Sequence, residues 1–225
     1  MKTKILKHFI LAVCLSLLPM AMMAKQEATV SSPSGNITLT TGVDNAGRPY
    51  YLLNRGKEEI LLHSALGLKL KDGDLSNDFR LIGFSRATKD ETWHQPWGEE
   101  DDVRNHYNEL TMKLVQKKGL QRQLTIVFRV FDDGMGFRYV FPQQKNLSDF
   151  IITDELTEFC FKGDPEAWTL PFDADYYEGL WTKAPLSKKQ KVCTPVTIEA
   201  KPDLYMMLHE ANLTDYSSLN VKPIE

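Results

Sequence analysis

Cysteine is scarce in this sequence, with three among 225 residues: Cys14, Cys160 and Cys193. The five histidines (His8, His63, His94, His106, His209) are scattered. They do not combine with the cysteines at the spacings a structural metal site requires. A basic excess is absent too. Lys and Arg total 27 against 30 Asp and Glu, a formal net charge of −3. A mildly acidic chain has no electrostatic footprint for phosphate backbones, which excludes nucleic acid as a partner. No apolar run reaches the roughly 20 residues of a transmembrane helix, so no membrane span is expected. Heptads, internal repeats and low-complexity linkers are also missing, which excludes coiled coils and solenoids. What is present is ordinary globular material, 42 % hydrophobic, 25 % charged and 10 % aromatic. That is ample for a buried core.

The first 24 residues read as a secretory signal. Lys2, Lys4 and Lys7 form a basic head, Phe9 to Leu18 a short apolar middle, and Ala24 a small residue at the expected cut. Removing those three lysines takes the net charge from −3 to −6. Export to a periplasm is the expectation, with residues 25–225 as the mature domain. Cys14 invites a lipoprotein reading, but Val13 stands where a small residue is wanted and the apolar core continues past it. Cys160 and Cys193 then remain, as one disulfide or, the preferred reading, as two thiols.

Beyond the leader the pattern is β. Asn36–Thr41, Pro49–Asn54, Glu59–His63 and Leu66–Leu70 are short runs separated by turn residues such as Asn45-Ala46-Gly47. In Tyr107–Val115, Leu110, Met112 and Leu114 alternate with Thr111 and Lys113, the period of a half-buried strand. Leu124, Ile126, Phe128 and Val130 form one strand face. Asp132-Asp133-Gly134 supplies a turn, and Phe137, Tyr139 and Phe141 line the returning strand. Pro195–Ala200 and Asp203–His209 read as a further pair turning at Lys201-Pro202-Asp203. Many short strands with regular turns predict an all-β protein, a large antiparallel β-sandwich.

Two segments do not read as plain strands. Glu91–Glu109 holds Trp93, Trp97, four consecutive acids (Glu99 to Asp102), Arg104 and His106. Ala167–Trp181 places Trp168, Tyr176, Tyr177 and Trp181 beside Asp173, Asp175 and Glu178. Aromatic faces beside carboxylates suit carbohydrate, whose C–H faces stack on rings and whose hydroxyls bond to carboxylates. Such carboxylates also suit Ca²⁺, a hard cation that takes oxygen ligands. The bland alternatives are a solvated acidic loop, tryptophans that plug the core, structural histidines, and an Arg104 that pairs with the neighbouring acids.

Five ordered motifs resemble one family. They are Trp97-Gly98-Glu99-Glu100 with Arg104 to Glu109, then Phe131 to Tyr139, Phe141 to Gln144, Tyr177 to Leu180, and His209 to Tyr216. Together they resemble the N-terminal domain of glycoside hydrolase family 97, bacterial α-glucosidases and α-galactosidases. The resemblance implies a galactose-mutarotase-like sandwich that packs on a (β/α)8 barrel carrying the catalytic carboxylates, with an α-linked oligosaccharide as substrate. It also implies one glutamate, reaching across the interface, that helps bind Ca²⁺. By position after Trp168-Thr169-Leu170-Pro171 the matching residue is Glu178, with Asp175 as its nearest competitor.

No carboxylate here matches the catalytic pair, which flanks the scissile bond at about 5–5.5 Å or about 6.5–9.5 Å. No barrel segment occurs before Glu225. The chain as given is therefore expected to be a fragment or split product, non-catalytic alone, with a weak or absent calcium site. A bared sandwich face is expected to leave apolar surface exposed. Two alternatives come from other classes. One is a stand-alone sugar-binding module. The other is a mutarotase-like epimerase using His106, or His209 with Glu210, as acid and base.

Overall fold

The computed structural model describes residues 27–173, 175–176 and 178–224. The leader segment 1–24, with Cys14, lies outside the described residues, as does Tyr177. Among the described residues every regular element is a strand except one short 3-10 turn, Leu186–Lys188. No helix among them is long and apolar enough to cross a membrane.

The alternating runs become strands because one side of each can be buried. Strands β1 (Glu27–Ser31), β2 (Ile37–Val43), β3 (Pro49–Arg55) and β4 (Glu58–Ala65) form an antiparallel meander. A second sheet has the order β10-β9-β8-β7, built from β7 (Phe79–His94), β8 (Asp102–Gln116), β9 (Gln123–Val130) and β10 (Met135–Val140). The two pack face to face, as in a sandwich. Leu39 and Tyr51 on one side meet Leu110, Met112, Ile126 and Phe128 on the other, all fully buried. Tyr51 lies 6.3 Å from the Phe128 ring and 5.6 Å from Phe137. Its hydroxyl donates to the Glu158 carbonyl at 2.8 Å, so the buried phenol is satisfied.

The β9–β10 hairpin forms where alternation predicts it. Phe128 pairs with Phe137 across the ladder, and the Phe131 amide closes the turn on the Gly134 carbonyl at 2.8 Å. The Asn45-Ala46-Gly47 turn is held by Asp44, whose carboxylate accepts the Ala46 and Arg48 amides at 2.9 and 2.8 Å.

Two smaller sheets complete the molecule. Strands β5 (Leu68–Leu70), β6 (Gly73–Leu75) and β11 (Ile152–Glu155) have the order β11-β5-β6. Beside them Arg122, only 4 % exposed, donates to Asp72 at 2.5 Å and to the Asn146 carbonyl at 3.0 Å. The hydrogen bond from Arg122 holds the Asp72 carboxyl below the usual carboxylate range. The last sheet has the order β13-β12-β14-β15, from β12 (Glu166–Pro171), β13 (Thr182–Pro185), β14 (Val192–Lys201) and β15 (Leu204–Leu208), with β16 (Asn220–Val221) pairing to β14. Its inner face buries Ala167, Val192, Val196 and Ile198, and Phe161 and Met206 link this cluster to the main core. Cys160 and Cys193 are free thiols, Cys193 buried. Burial pushes the Cys160 thiol up.

The sandwich class is thus the one the alternation predicts. The segment Glu91–Glu109 differs from its reading. It is mostly strand, forming the far ends of β7 and β8 joined by Gln95–Asp101. The hairpin runs past the core, so from Ser85 to His94 both faces of β7 are exposed. A ribbon without a buried side needs no apolar alternation.

Candidate functional site

The loop between β12 and β13, residues 172–181, carries Asp173, Asp175 and Glu178. Its ends are tied down. The Phe172 amide donates to the Lys191 carbonyl at 3.0 Å, and Lys191 Nζ sits 3.6 Å above the Phe172 ring. At the other end Lys189 Nζ donates to the Thr182 carbonyl at 2.8 Å. Lys183, on β13, pairs with Glu166 and Glu199 at 2.7 Å each, and lies 4.5 Å over the Trp168 ring. These hydrogen bonds to Glu166 and Glu199 push the Lys183 ammonium pKa up.

Within the loop, the Asp175 amide donates to Asp173 Oδ1 at 2.8 Å, a local turn that occupies one oxygen of Asp173. Gly179 packs against β12, where a Cβ would stand 2.6 Å from Leu170 Cδ1. Glu178 beside it is exposed and has no hydrogen bond or ion pair within the described residues. Asp175 is exposed as well.

The described residues do not make a calcium site by themselves. No group of three His, Cys, Asp or Glu among them is placed to hold a metal ion. Glu178 offers one carboxylate against the roughly six to eight oxygens that Ca²⁺ takes.

Exposed large hydrophobic side chains gather around this loop. Phe172, Tyr176, Leu180 and Trp181 lie in it. Leu180 is 86 % exposed. Apolar surface of this kind marks a face that meets something other than water.

The second sequence-predicted segment lies on a different sheet. Trp93 is 47 % and Trp97 83 % exposed, so neither plugs the core. Arg104 does not pair with the run Glu99 to Asp102. It grips Asp90 across the ladder, Nε and Nη2 each at 2.8 Å, and holds the Asp90 carboxyl low. The acidic run forms the exposed ribbon end, where the Gln95 amide donates to the Asp101 carbonyl at 2.8 Å. His106 stands 3.9 Å from Asp90 on β8, while His209 follows β15 on another sheet. Glu210 accepts the Leu219 amide at 2.7 Å. Among the described residues no histidine makes a hydrogen bond or ion pair with the Glu178 loop. The Lys89–Glu91–Asn105 network on the ribbon was not singled out by sequence. Its members come from two strands whose pairing register no local pattern encodes.

Comparison with known proteins agrees with the motifs. Residues 30–224 match the model of the glycosyl-hydrolase 97 N-terminal domain. A retaining α-galactosidase of Bacteroides thetaiotaomicron is 26 % identical over 222 residues, covering 92 % of this chain and 32 % of that protein. A glycoside hydrolase family 97 enzyme from Pseudoalteromonas sp. strain K8, solved with panose and with acarbose, superposes with a TM-score of 0.83 at 32 % identity. That match covers 88 % of this chain and 30 % of the enzyme. A β-arabinopyranosidase superposes with a TM-score of 0.73 at 25 % identity, covering 80 % of this chain and 31 % of that one. The chain spans about a third of the length of these relatives. It belongs to glycoside hydrolase family 97 and carries that family's N-terminal domain.

Proposed function

We propose that this chain is the exported, carbohydrate-associated N-terminal domain of a family 97 α-glucosidase or α-galactosidase, working in a periplasm on α-linked oligosaccharides. In that enzyme Glu178 supplies one carboxylate oxygen to a calcium ion shared with the rest of the protein. The bond-breaking pair of carboxylates resides outside this domain, and the chain alone does not hydrolyse glycosides.

The observation that carries this reading is Glu178 itself. It is an exposed carboxylate with no hydrogen bond or ion pair among the described residues, on a loop whose ends are pinned and whose apolar side chains are exposed. A carboxylate spent on its own fold would be engaged, as Asp90 and Glu199 are. When bound, calcium supplies positive charge at the site. The role of this chain is to hold Glu178 there on a fixed strand-to-strand loop.

A chimera tests the reading. Residues 27–224 replace the N-terminal domain of the Pseudoalteromonas sp. strain K8 enzyme. The expected result is hydrolysis that calcium chelation reduces, and a further loss of at least about 100-fold in Glu178→Gln, the scale of losing a group that supports a metal. An active chimera indifferent to both chelation and Glu178→Gln contradicts the calcium role.

A further inference from the structure

The β7–β8 ribbon carries a built arrangement that the Glu178 loop does not use. In the antiparallel register Lys89 faces Tyr107, Glu91 faces Asn105 and Trp93 faces Val103, so these side chains share one face of the ribbon. Lys89 Nζ bonds to Glu91 Oε1 at 2.7 Å, and Asn105 Nδ2 donates to the same oxygen at 2.9 Å. Buried Tyr107 backs the network. Arg129 lies 4.5 Å over the Tyr107 ring and is held by Glu109 at 2.9 Å. Beside the network stands the half-exposed indole of Trp93, which makes no hydrogen bond within the described residues.

We propose that this ribbon face, with Trp93 as platform and Lys89, Glu91 and Asn105 as polar partners, binds a neutral pyranose oligosaccharide. The inference rests on the carbohydrate-associated reading above and names residues for it. Glu91 keeps its second oxygen as an acceptor, Asn105 keeps its carbonyl oxygen, and Lys89 keeps ammonium protons. Neighbouring sugar hydroxyls need donors and acceptors side by side, and a C–H face needs a ring to stack on. The charges of Lys89 and Glu91 cancel, which suits a neutral ligand over a phosphate or an acidic peptide. An apolar partner would strip water from three polar groups without replacing their bonds. Two other aromatic faces are covered by cations: Lys183 lies over Trp168 and Lys191 over Phe172.

The test is an NMR titration of the whole chain with panose, followed at the tryptophan indole and asparagine side-chain amide signals. The expected result is a saturable shift of the Trp93 and Asn105 signals. Trp93→Ala, at an exposed position, and Asn105→Ala, at a half-buried one, should each weaken binding at least about tenfold, since a single anchor dominates small interfaces. Tyr205→Ala, on a different sheet, should leave it unchanged. Shifts confined to residues 172–181, or none at tens of millimolar panose, overturn the proposal. So does unchanged affinity in both ribbon variants. Glu178→Gln should not affect this titration, so failure of the calcium role and failure of the ribbon site read out separately.

Discussion

Phe128→Ala is expected to destabilise the domain by about 3–5 kcal/mol, the range for deleting a buried aromatic side chain. Phe128 is fully buried on β9. Its ring lies 5.9 Å from Phe137 on the paired strand and 6.3 Å from Tyr51 on the facing sheet. It therefore contributes to both the hairpin and the contact between the two sheets. The surrounding backbone is laddered on both sides of β9, so the void cannot readily collapse. Urea unfolding followed by tryptophan fluorescence measures the change. A loss below about 1 kcal/mol would mean that this interface is loosely packed.

Gly47→Ala is expected to cost about 2–4 kcal/mol, combining backbone strain with overpacking. Gly47 has φ +79°, and an added Cβ would stand 2.6 Å from the Phe79 nitrogen and 2.8 Å from its carbonyl oxygen. Those are backbone atoms, so no rotamer change relieves the clash. The displaced strand would be β7, whose first residue Phe79 is buried and whose amide donates to the Gly47 carbonyl at 3.0 Å. Gly56→Ala is the control. It shares the left-handed backbone at φ +58° but has open space around the new methyl, so it should suffer the smaller loss. Equal losses at the two positions would assign the whole effect to backbone conformation.

The fold was legible wherever a strand had one wet and one dry face. Leu124, Ile126, Phe128 and Val130 alternate because β9 lies on a core, and the turn at Asp132-Asp133-Gly134 follows from side chains that tolerate tight backbone. The Lys201-Pro202-Asp203 turn also stands where expected, with Asp203 at φ +66°. Strand β7 was not legible. Its sequence from Ser85 to His94 faces water on both sides, and a period-two signal cannot appear without a buried side. For the same reason Trp93 and Trp97, which resemble core residues in isolation, lie outside the core.

The site was legible in part. Glu178 and its aromatic neighbours stand out by composition, and they fall in the loop between β12 and β13. What composition could not supply is that Glu178 has no hydrogen bond or ion pair among the described residues while Asp173 closes a local turn, because that depends on loop geometry. Nor could it show that Arg104 reaches fourteen residues back to Asp90. That pairing is a consequence of the β7–β8 register, which only the folded ribbon defines.

The most direct test of the central claim, that bond cleavage belongs to protein outside this domain, is an assay of the purified chain. It is incubated with panose and with an α-galactoside, with and without calcium, and free glucose and galactose are measured. The account predicts no release above the rate without protein in any of the four conditions. Sustained release of either sugar by the isolated chain, abolished by heat, would contradict it.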